Sequence, residues 1–376
     1  MKVALIHEFF NQFGGGERVF SALKEIFPKA DIYSLLIDEN RVLTEFGELS
    51  IHTSFLQKLP GFLRKRHKLL LPFYPYAVEQ FNLSSYDLVI SDSNSFAKGV
   101  LTKPETIHIC YCHTPTGYLW HYYREYLEEQ RLSNISKTIV SKLLHKLRIW
   151  DAQAAHRVDY FIANSKNVQK RIKKYYNRDS VVIYPPVDLD KLKPETKNTK
   201  LQPKDGNFFL IVSRLSPYKK INLAIEAFNK LPRERLKIVG EGSELENLKR
   251  LARPNIEFIG YVPDERLKEY YENCRALIFP GEEDFGITPV EAMAFGKPVI
   301  AYKKGGVLES VIDGKTGVFF EKPTSSNLLD ALNVFKEKEK QFEASIIKKQ
   351  AEKFDKAVFQ KKIRQFISEV TRELKE

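Results

Sequence analysis

The chain has 376 residues with a net charge of +12, and 43% of its residues are hydrophobic. This length and this apolar fraction predict two domains, each with its own core. Three cysteines do not indicate a disulfide framework, so a reducing cytosol is the simplest compartment, and no apolar run reaches the roughly 18 residues that a membrane-spanning helix needs.

The positive charge is concentrated in two segments of the first half. Residues 56–76 contain five lysines and arginines and no acidic residue, and residues 137–178 contain eleven against two aspartates. In the first segment, basic residues such as Arg64, Lys65 and Arg66 alternate with aromatic and aliphatic ones, a pattern that suits an anionic bilayer surface. Solvated helix faces would produce the same pattern, whereas no motif indicates nucleic-acid binding.

The first predicted strand, residues 3–6, leads through three consecutive glycines at 14–16 into a helix predicted over residues 18–26. The opening residues are interrupted by Glu8 too early to form a signal peptide. A strand, a glycine loop and a helix in this order bring backbone N–H groups against a phosphate, because a Cβ would prevent the close approach. Three glycines can equally form an ordinary turn, and the absence of a GxGxxG pattern disfavours a nicotinamide enzyme.

Further elements follow along the first half. Residues 55–76 are interrupted by prolines and a glycine, which predicts loops and short helices of the kind that often holds an acceptor. His113 follows a predicted strand, where an open sheet binds ligands, although a lone histidine is more often an ordinary loop residue. The eight histidines and three cysteines show no metal-ligand spacing, so we expect no catalytic metal. The strands are predicted over residues 31–36, 87–91, 106–112, 160–163 and 181–184, and long helices over 137–155 and 166–176.

A polar, lysine-rich stretch, residues 191–206, predicts a linker to the second domain. That domain opens with a strand over residues 208–212, Arg214 follows it, and Lys219 begins a helix that ends near Leu231. A guanidinium and an ammonium group five residues apart, at a strand end and a helix start, can hold a diphosphate from two directions. Two more strands, predicted over 236–239 and 256–259, each lead into a glycine turn.

The second half is organised around residues 279–302. A buried strand predicted over 276–279 is followed by a loop with three acidic residues and by a helix over 287–295. The acidic loop therefore lies at the carboxyl end of a strand and faces a helix N-terminus, which favours a phosphate. Glu283 and Glu291 are staggered so that they can accept hydrogen bonds from hydroxyls at two places along one ligand. Taken alone, the two carboxylates also fit a solvated acidic surface.

Residues 279–302, FPGEEDFGITPVEAMAFGKPVIAY, resemble the signature of retaining glycosyltransferases of family 4. The resemblance covers nearly all of the second half, because it continues in SRLSPYKKINLAIEAF at 213–228, LKIVGEGSELENL at 236–248, IEFIGYV at 256–262 and GGVLESVIDGKTGVFF at 305–320. The segment is most similar to GDP-mannose-dependent mannosyltransferases of bacterial and archaeal surface-polysaccharide assembly.

The resemblance implies the GT-B fold, in which two doubly wound, Rossmann-like α/β domains face each other across a cleft. The first domain would span residues 1–190 and bind the acceptor, and residues 191–206 would be the linker. The second domain, residues 207–355, would bind the nucleotide sugar, and a C-terminal helix at 356–376 would cross back to the first domain. One face of that helix carries Phe359, Ile363, Phe366, Ile367, Val370 and Leu374 at helical spacing.

The resemblance also implies a role for each candidate residue. Arg214 and Lys219 would stabilise the leaving nucleoside diphosphate. Glu283 would hold the sugar hydroxyls, Glu291 would hold the ribose, and His113 would lie beside the sugar at the reaction centre. The remaining donor contacts, mostly through backbone groups, would be Gly14, Gly15, Gly240, Tyr261, Val262, Phe285, Gly286 and Ile287.

Tyr118 and Trp120, which follow His113, could stack on sugar rings of the acceptor or form a hydrophobic cover. The expected activity is retaining, metal-independent transfer of a hexose, best mannose from GDP-mannose, onto a glycan or polyprenyl-linked oligosaccharide during synthesis of lipopolysaccharide or a similar surface polysaccharide. No cofactor other than the nucleotide-sugar co-substrate and no nucleic-acid partner are expected, and the expected location is the cytoplasm, with the inner membrane face as a peripheral site. A UDP-sugar donor and a non-catalytic nucleotide- or glycan-binding GT-B protein stay open as alternatives.

Overall fold

Runs of aliphatic and aromatic residues form two parallel sheets in the computed structural model, which describes residues 1–11, 14–130, 133–192 and 207–373. Contacts divide the chain into two units, Met1–Pro186 with Phe359–Glu376, and Val187–Val358. Most of the predicted linker at 191–206 lies outside the described residues, and its first two positions end a short helix.

The first unit contains a seven-stranded parallel sheet with the order β3-β2-β1-β4-β5-β6-β7. Three of its strands, β1, β4 and β5, are buried over almost their whole length, as expected for parallel strands that helices cover on both faces. The strands are β1 (Val3–Phe10), β2 (Asp31–Ile37), β3 (Ile51–Thr53), β4 (Leu88–Ser93), β5 (Ile107–Cys112), β6 (Tyr160–Ala163) and β7 (Ser180–Val182).

Helices connect and cover these strands. The region at 55–76 forms short helices and turns, as predicted, including the 3₁₀ turns Phe55–Lys58 and Leu71–Phe73. The helices are α1 (Gly15–Ile26), α2 (Glu39–Phe46), α3 (Gly61–Arg64), α4 (His67–Leu70), α5 (Tyr74–Glu79), α6 (Tyr123–Glu129), α7 (Asn134–His156) and α8 (Lys166–Tyr176). α1 begins three residues earlier than predicted, because the Glu17 carboxylate accepts the N–H of Gly14 and closes the first turn.

The second unit contains a six-stranded parallel sheet with the order β10-β9-β8-β11-β12-β13. Its strands are β8 (Phe208–Val212), β9 (Leu236–Val239), β10 (Ile256–Gly260), β11 (Cys274–Phe279), β12 (Val299–Tyr302) and β13 (Gly317–Phe320). Its helices are α9 (Leu189–Leu192), α10 (Ile221–Phe228), α11 (Leu245–Leu251), α12 (Asp264–Asn273), α13 (Ile287–Ala294), α14 (Val307–Ser310), α15 (Ser325–Lys338) and α16 (Ala344–Ala351). The two sheets confirm the predicted architecture of two doubly wound α/β domains.

The last helix, α17 (Lys356–Glu373), returns to the first unit. Its predicted apolar face is buried in the same core as residues of β1 and α1, through Phe359, Ile363, Ile367 and Val370. Leu374, the last predicted member of that face, lies outside the described residues. The predicted helix that crosses back to the first domain is therefore confirmed.

Candidate active site

The carboxyl ends of β8 and β11 form the centre of the candidate site in the second unit. The two strands are neighbours, and the chain leaves them in opposite directions, because β9 and β10 lie on one side and β12 and β13 on the other. Open α/β sheets bind ligands at such a switch point. The loop after β8 carries Arg214 and Lys219, and the loop after β11 carries Glu283.

Lys219 and Glu283 form an ion pair between these two loops, with side chains 14% and 24% exposed. The loops approach closely because Gly281 has no side chain: a Cβ there would lie 2.9 Å from the backbone oxygen of Lys219. The prediction that Lys219 begins a helix is wrong. Lys219 ends the 3₁₀ turn Pro217–Lys219, and Lys220, with a left-handed φ of 54°, separates this turn from α10.

Arg214 is exposed at the end of β8, and Tyr218 brings it together with Lys219. One terminal nitrogen of Arg214 donates a hydrogen bond to the Tyr218 hydroxyl at 3.2 Å. The Lys219 ammonium lies 5.1 Å from the centre of the same ring. The two cations that the sequence assigns to a diphosphate are thus grouped around one aromatic side chain.

The loop between β11 and α13 is held by packing. Phe285 is buried, with its ring centre 5.4 Å from that of Phe354. Gly286 has a φ of 85°, which favours glycine, and it directly precedes α13. Glu291 is buried in α13 and accepts a hydrogen bond from the Tyr271 hydroxyl at 2.7 Å. A buried carboxylate with a fixed donor is well ordered, so Glu291 presents its oxygens in one orientation.

The turns after β9 and β10 lie side by side, as their strand order requires. The N–H of Gly240 donates to the carbonyl of Gly260 at 2.8 Å, and the N–H of Tyr261 donates to a Glu241 carboxylate oxygen at 3.4 Å. The Tyr261 side chain is 70% exposed, and Val262 is half-buried. Gly240 follows β9, and Tyr261 and Val262 follow the edge strand β10, so these residues lie two and three strands away from β11, which precedes Glu283.

A buried cluster of titratable side chains lies at the switch point of the first sheet, between β1 and β4. His7 of β1 is in register with Asp92 of β4, and its Nδ1–H donates to Asp92 Oδ2 at 2.8 Å. His113 follows β5, and its Nε2–H donates to Asp92 Oδ1 at 2.5 Å. On the other side of His7, Nε2 lies 3.6 Å from an oxygen of Glu17. One aspartate thus holds two imidazole rings, and all four groups are buried.

The opposite charges of this cluster stabilise the ionised forms of its histidines and of Asp92. Burial by itself lowers the pKa of His7, but the hydrogen bonds to Asp92 and Glu17 raise it to about 10. Burial likewise opposes ionisation of Asp92, yet the two histidines bring its pKa below the ordinary value. Burial lowers the pKa of His113 and Asp92 raises it, with a net increase. At neutral pH, therefore, His7 is an imidazolium and Asp92 a carboxylate.

The glycine loop contacts this cluster. A Cβ on Gly16 would lie 3.6 Å from a ring carbon of His7 and 3.7 Å from Nε2 of His113. The N–H of Gly14, assigned above to a phosphate, donates to Glu17 at 2.8 Å and is satisfied within the first unit. Gly16, the second residue of α1, therefore lies against both imidazole rings.

The sequence arguments chose His113 but missed its partners His7, Glu17 and Asp92. A signal for two of them exists in the sequence. His7 and Glu8 interrupt VALIHEFF, and Asp92 stands between two serines at the end of LVISDS, so both His7 and Asp92 are polar residues next to the apolar runs of buried strands. Polar side chains in such strands need a partner, because burial without one is unfavourable.

Tyr118 and Trp120 pack inside the first unit. The Trp120 indole N–H donates to the buried Asp151 at 2.7 Å, and the Trp120 ring stacks on Tyr175 with ring centres 5.0 Å apart. Tyr118 packs on Tyr126 with ring centres 5.4 Å apart. These contacts correspond to the hydrophobic cover that the sequence allowed, and the acceptor role of both residues stays a prediction.

The segment at 55–76 has an exposed surface that is both basic and apolar. Arg64 is half-buried, and Lys65 and Arg66 are exposed. The large exposed apolar side chains of this segment are Phe55, Phe62, Leu69, Phe73 and Tyr76. Within the described ranges, no helix combines the length and hydropathy that a membrane crossing requires, and no three His, Cys, Asp or Glu side chains are grouped as metal ligands.

Two family models match consecutive segments of the chain: "Glycosyltransferase Family 4" over residues 13–191 and "Glycosyl transferases group 1" over residues 192–354. Among curated relatives, the chain is 28% identical to an alpha-1,3/1,6-mannosyltransferase ALG2 of Dictyostelium discoideum, over 67% of each protein. It is 27% identical to the ALG2 protein of Debaryomyces hansenii, over 83% of this chain and 76% of that one. It is 29% identical to D-inositol 3-phosphate glycosyltransferase 2 of Catenulispora acidiphila, over 45% of this chain and 46% of that one.

Solved structures match nearly the whole chain. Anabaena HepE, crystallised with UDP and glucose, superimposes with a TM-score of 0.70 at 21% identity, over 98% of this chain and 99% of that one. A sucrose-phosphate synthase from Thermosynechococcus elongatus superimposes with a TM-score of 0.75 at 16% identity, over 99% of this chain and 100% of that one. At these identities the likeness shows the fold alone.

Proposed function

Two glycosyltransferase family models match consecutive segments of the chain, so the chain is a glycosyltransferase of the family 4 type, and we propose that it is a retaining, metal-independent hexosyltransferase. The observation that carries this proposal is the ion pair of Lys219 with Glu283 at the switch point of the second sheet, next to Arg214. It combines two cations for a diphosphate with a carboxylate for sugar hydroxyls.

The reaction breaks the bond between C1 of the donor sugar and a diphosphate oxygen. As this oxygen gains charge, Arg214 and Lys219 stabilise it, and such preorganised charges contribute most where charge develops in the transition state. Glu283 orients the sugar through its hydroxyls, and Glu291 accepts hydrogen bonds from the ribose. The acceptor hydroxyl attacks C1 from the face that the diphosphate leaves, and its proton passes to the leaving phosphate oxygen.

The first unit supplies the acceptor side of the proposed reaction. His113 lies at a strand end with Nε2 bonded to Asp92, and the raised pKa of His113 favours the imidazolium. We propose His113 as the catalytic residue of the first unit, because a preorganised cation stabilises developing negative charge. The exposed basic and apolar segment at 55–76 suits a lipid-linked oligosaccharide at the inner face of a membrane.

For the donor, we propose GDP-mannose, with a UDP-sugar as the second candidate. The ALG2 relatives carry the word mannosyltransferase in their names, which supports a mannose donor. A protein of the same fold was crystallised with UDP and glucose, so a UDP-sugar is retained as the second candidate donor. In either case the nucleobase would contact the turns at Gly240 and Tyr261, mostly through backbone groups.

Thermal unfolding in the presence of nucleotides tests the donor site. A ligand that binds only the folded protein stabilises it by about 2.7 kcal/mol at a hundredfold excess over Kd. Because Trp120 and Trp150 both lie in the first unit and the chain has two tryptophans, unfolding of the second unit has to be followed by calorimetry or an external dye. We expect GDP and GDP-mannose to raise the midpoint of that unit. A shift with UDP and UDP-glucose alone would replace GDP-mannose by a UDP-sugar as the proposed donor. No shift with any nucleotide would overturn the assignment of the donor site.

Two neighbouring lysines provide a matched pair for the catalytic assignment. Lys219→Ala should reduce transfer about 10²-fold or more with EDTA present, since it removes a charge that stabilises the leaving group. Lys220→Ala removes an equal charge from the next, exposed position and should leave transfer near the wild-type rate. Equal rates for the two variants would contradict the assignment, and retention is read from the anomeric configuration of the product.

A further inference from the structure

A basic pocket lies between α6 and α7 in the first unit, and none of its lining residues belongs to the cluster of His7, Asp92 and His113. Its volume is about 380 Å³, and its lining residues are Tyr123, Ser141, Lys142, His145, Lys146 and Arg148. The Tyr123 hydroxyl and the Ser141 hydroxyl are 2.6 Å apart, which joins the two helices at one end of the pocket. The lining contains three permanent cations and no carboxylate.

The pocket cations have no carboxylate partner among the described residues. Within the part of the chain that the structure describes, Lys142, Lys146 and Arg148 form no ion pair. Two cations that are less exposed and contact α7 or its end are paired, Lys98 with Asp151 at 2.6 Å and Arg157 with Glu79 at 2.6 Å. Three like charges around one pocket repel each other, and a bound anion would remove this repulsion.

Arg148 is already oriented for such an anion. Its Nε donates to the carbonyl of Leu119 at 2.5 Å, and its guanidinium lies 4.6 Å from the ring centre of Tyr123 and 5.9 Å from that of Trp120. Its two terminal nitrogens make no hydrogen bond to the described residues. A fixed guanidinium with free donors is the group that binds phosphate in a bidentate manner.

Exposed isoleucines flank the pocket on the same helix. Ile135, Ile139 and Ile149 are 76%, 64% and 53% exposed. Together with Lys142 and Lys146, they follow helical spacing along one face of α7. A free nucleotide or inorganic anion has no apolar part that could pack on the isoleucines. A phosphate that carries a hydrocarbon chain can contact both the cations and the isoleucines of this face.

We propose that the α6–α7 pocket binds the phosphate group of a membrane lipid, with Lys142, Lys146 and Arg148 as its ligands and the exposed isoleucines against the hydrocarbon. The inference rests on the proposed function in one respect, namely that a glycosyl acceptor carried on a lipid diphosphate would present this chemistry. The phosphate could belong to that acceptor or to an anionic phospholipid of the bilayer, and the two sources are separated by the probes below.

The first probe is farnesyl diphosphate, a short lipid diphosphate, titrated into the full chain with tryptophan fluorescence as the readout. Trp120 reports on the pocket because its ring contacts Arg148. The second probe is sedimentation with vesicles of phosphatidylcholine, alone or mixed with phosphatidylglycerol. Farnesol serves as the uncharged control ligand, and GDP and UDP serve as competitors, because a lipid diphosphate in the nucleotide site would be displaced by them.

The double variant Lys142→Glu with Lys146→Glu tests the pocket itself. Its control is Lys170→Glu with Lys174→Glu on α8, which reverses two exposed charges at the same four-residue spacing in the same unit. We expect the pocket variant to weaken binding at least tenfold and the control to stay within about twofold of wild type. Circular dichroism and the unfolding midpoint verify that both variants are folded.

The possible outcomes distinguish the two sources of the lipid phosphate, and some of them would overturn the proposal. Farnesyl diphosphate binding that only the pocket variant loses supports the proposal with the acceptor as the source. Binding to phosphatidylglycerol vesicles alone, again lost only in the pocket variant, supports it with the bilayer as the source. No binding of either probe, displacement by nucleotide, or equal losses in both variants would overturn it. The nucleotide titration of the wild type decides the proposed function independently of these results.

Discussion

Replacing Asp92 by asparagine tests the buried cluster of the first unit. The change keeps the shape of the side chain but removes the charge that holds both His7, at 2.8 Å, and His113, at 2.5 Å. Breaking a buried ion pair by removing one partner costs about 3–5 kcal/mol, because the remaining charge stays buried without compensation. We therefore expect Asp92→Asn to destabilise the first unit by about this amount near pH 6.

The pKa of His7 gives an independent magnitude. Its ordinary value of 6.5 rises to about 10 in the folded chain, and each pKa unit corresponds to about 1.36 kcal/mol. Asp92 and Glu17 together therefore stabilise the fold by roughly 5 kcal/mol through His7, in agreement with the estimate for the ion pair.

The pH dependence has a definite sign. A group whose pKa is raised by folding binds more protons in the folded state, so its contribution is complete below pH 6.5 and disappears as the pH approaches 10. The difference in unfolding free energy between wild type and Asp92→Asn should therefore shrink with rising pH. By the same arithmetic, the whole contribution of His7, from Asp92 and Glu17 together, falls to about 1–2 kcal/mol at pH 9, so the Asp92→Asn difference should be no larger than this.

Urea unfolding followed by tryptophan fluorescence measures this difference. Trp120 and Trp150 lie in the first unit, so the signal reports that unit alone. Asp179→Asn is the control: Asp179 pairs with Lys173 at 2.8 Å, but its side chain is 92% exposed, so this substitution should leave the free energy of unfolding close to that of wild type. An Asp92→Asn variant within about 0.5 kcal/mol of wild type at pH 6, or a difference that does not shrink at pH 9, would refute the reasoning.

Three further predictions concern packing around the two sites. Tyr271→Phe leaves the buried Glu291 without its hydroxyl donor, so we expect a loss of about 1–3 kcal/mol and weaker nucleotide binding by calorimetry, whereas Tyr270→Phe next to it should change neither. Phe359→Ala empties a buried site in the first core and should lower the stability of that unit, by fluorescence-detected urea unfolding, by about 3–5 kcal/mol. Gly281→Ala places a Cβ 2.9 Å from the backbone of the loop after β8, so the nucleotide Kd should rise by about tenfold or more.

Much of the fold was predictable because the two sheets are parallel and covered on both faces. Strands of this kind read as uninterrupted apolar runs, and those at Tyr160–Ala163 and Phe208–Val212 have the predicted bounds. Errors occur where side chains decide an element's end. The Glu17 carboxylate extends α1 backwards, and the left-handed Lys220 delays α10, and neither effect follows from hydrophobic periodicity.

The candidate site was predictable to the extent that it depends on loops at strand ends. Arg214 and Lys219 follow β8, and Glu283 follows β11. Their proximity depends on β8 and β11 being neighbours, and the order of strands in a sheet cannot be inferred from local sequence. The pairing of His7 with Asp92 is harder still, because it joins residues far apart in the chain through the register of two strands. A polar residue in an apolar strand indicates that it has a hydrogen-bonding partner, but it does not identify that partner.

The position of α17 determines the order in which the chain can mature during synthesis. The second unit, Val187–Val358, is continuous, so all of its residues have been made before the last helix is complete. The first unit needs Phe359, Ile363 and Ile367 to close its core, and these residues are synthesised after the whole of the second unit. Domains usually fold in the order in which they are synthesised. Here the first unit cannot close its core until α17 has been made, so a chain that terminates before α17 exposes the core of the unit whose synthesis began first.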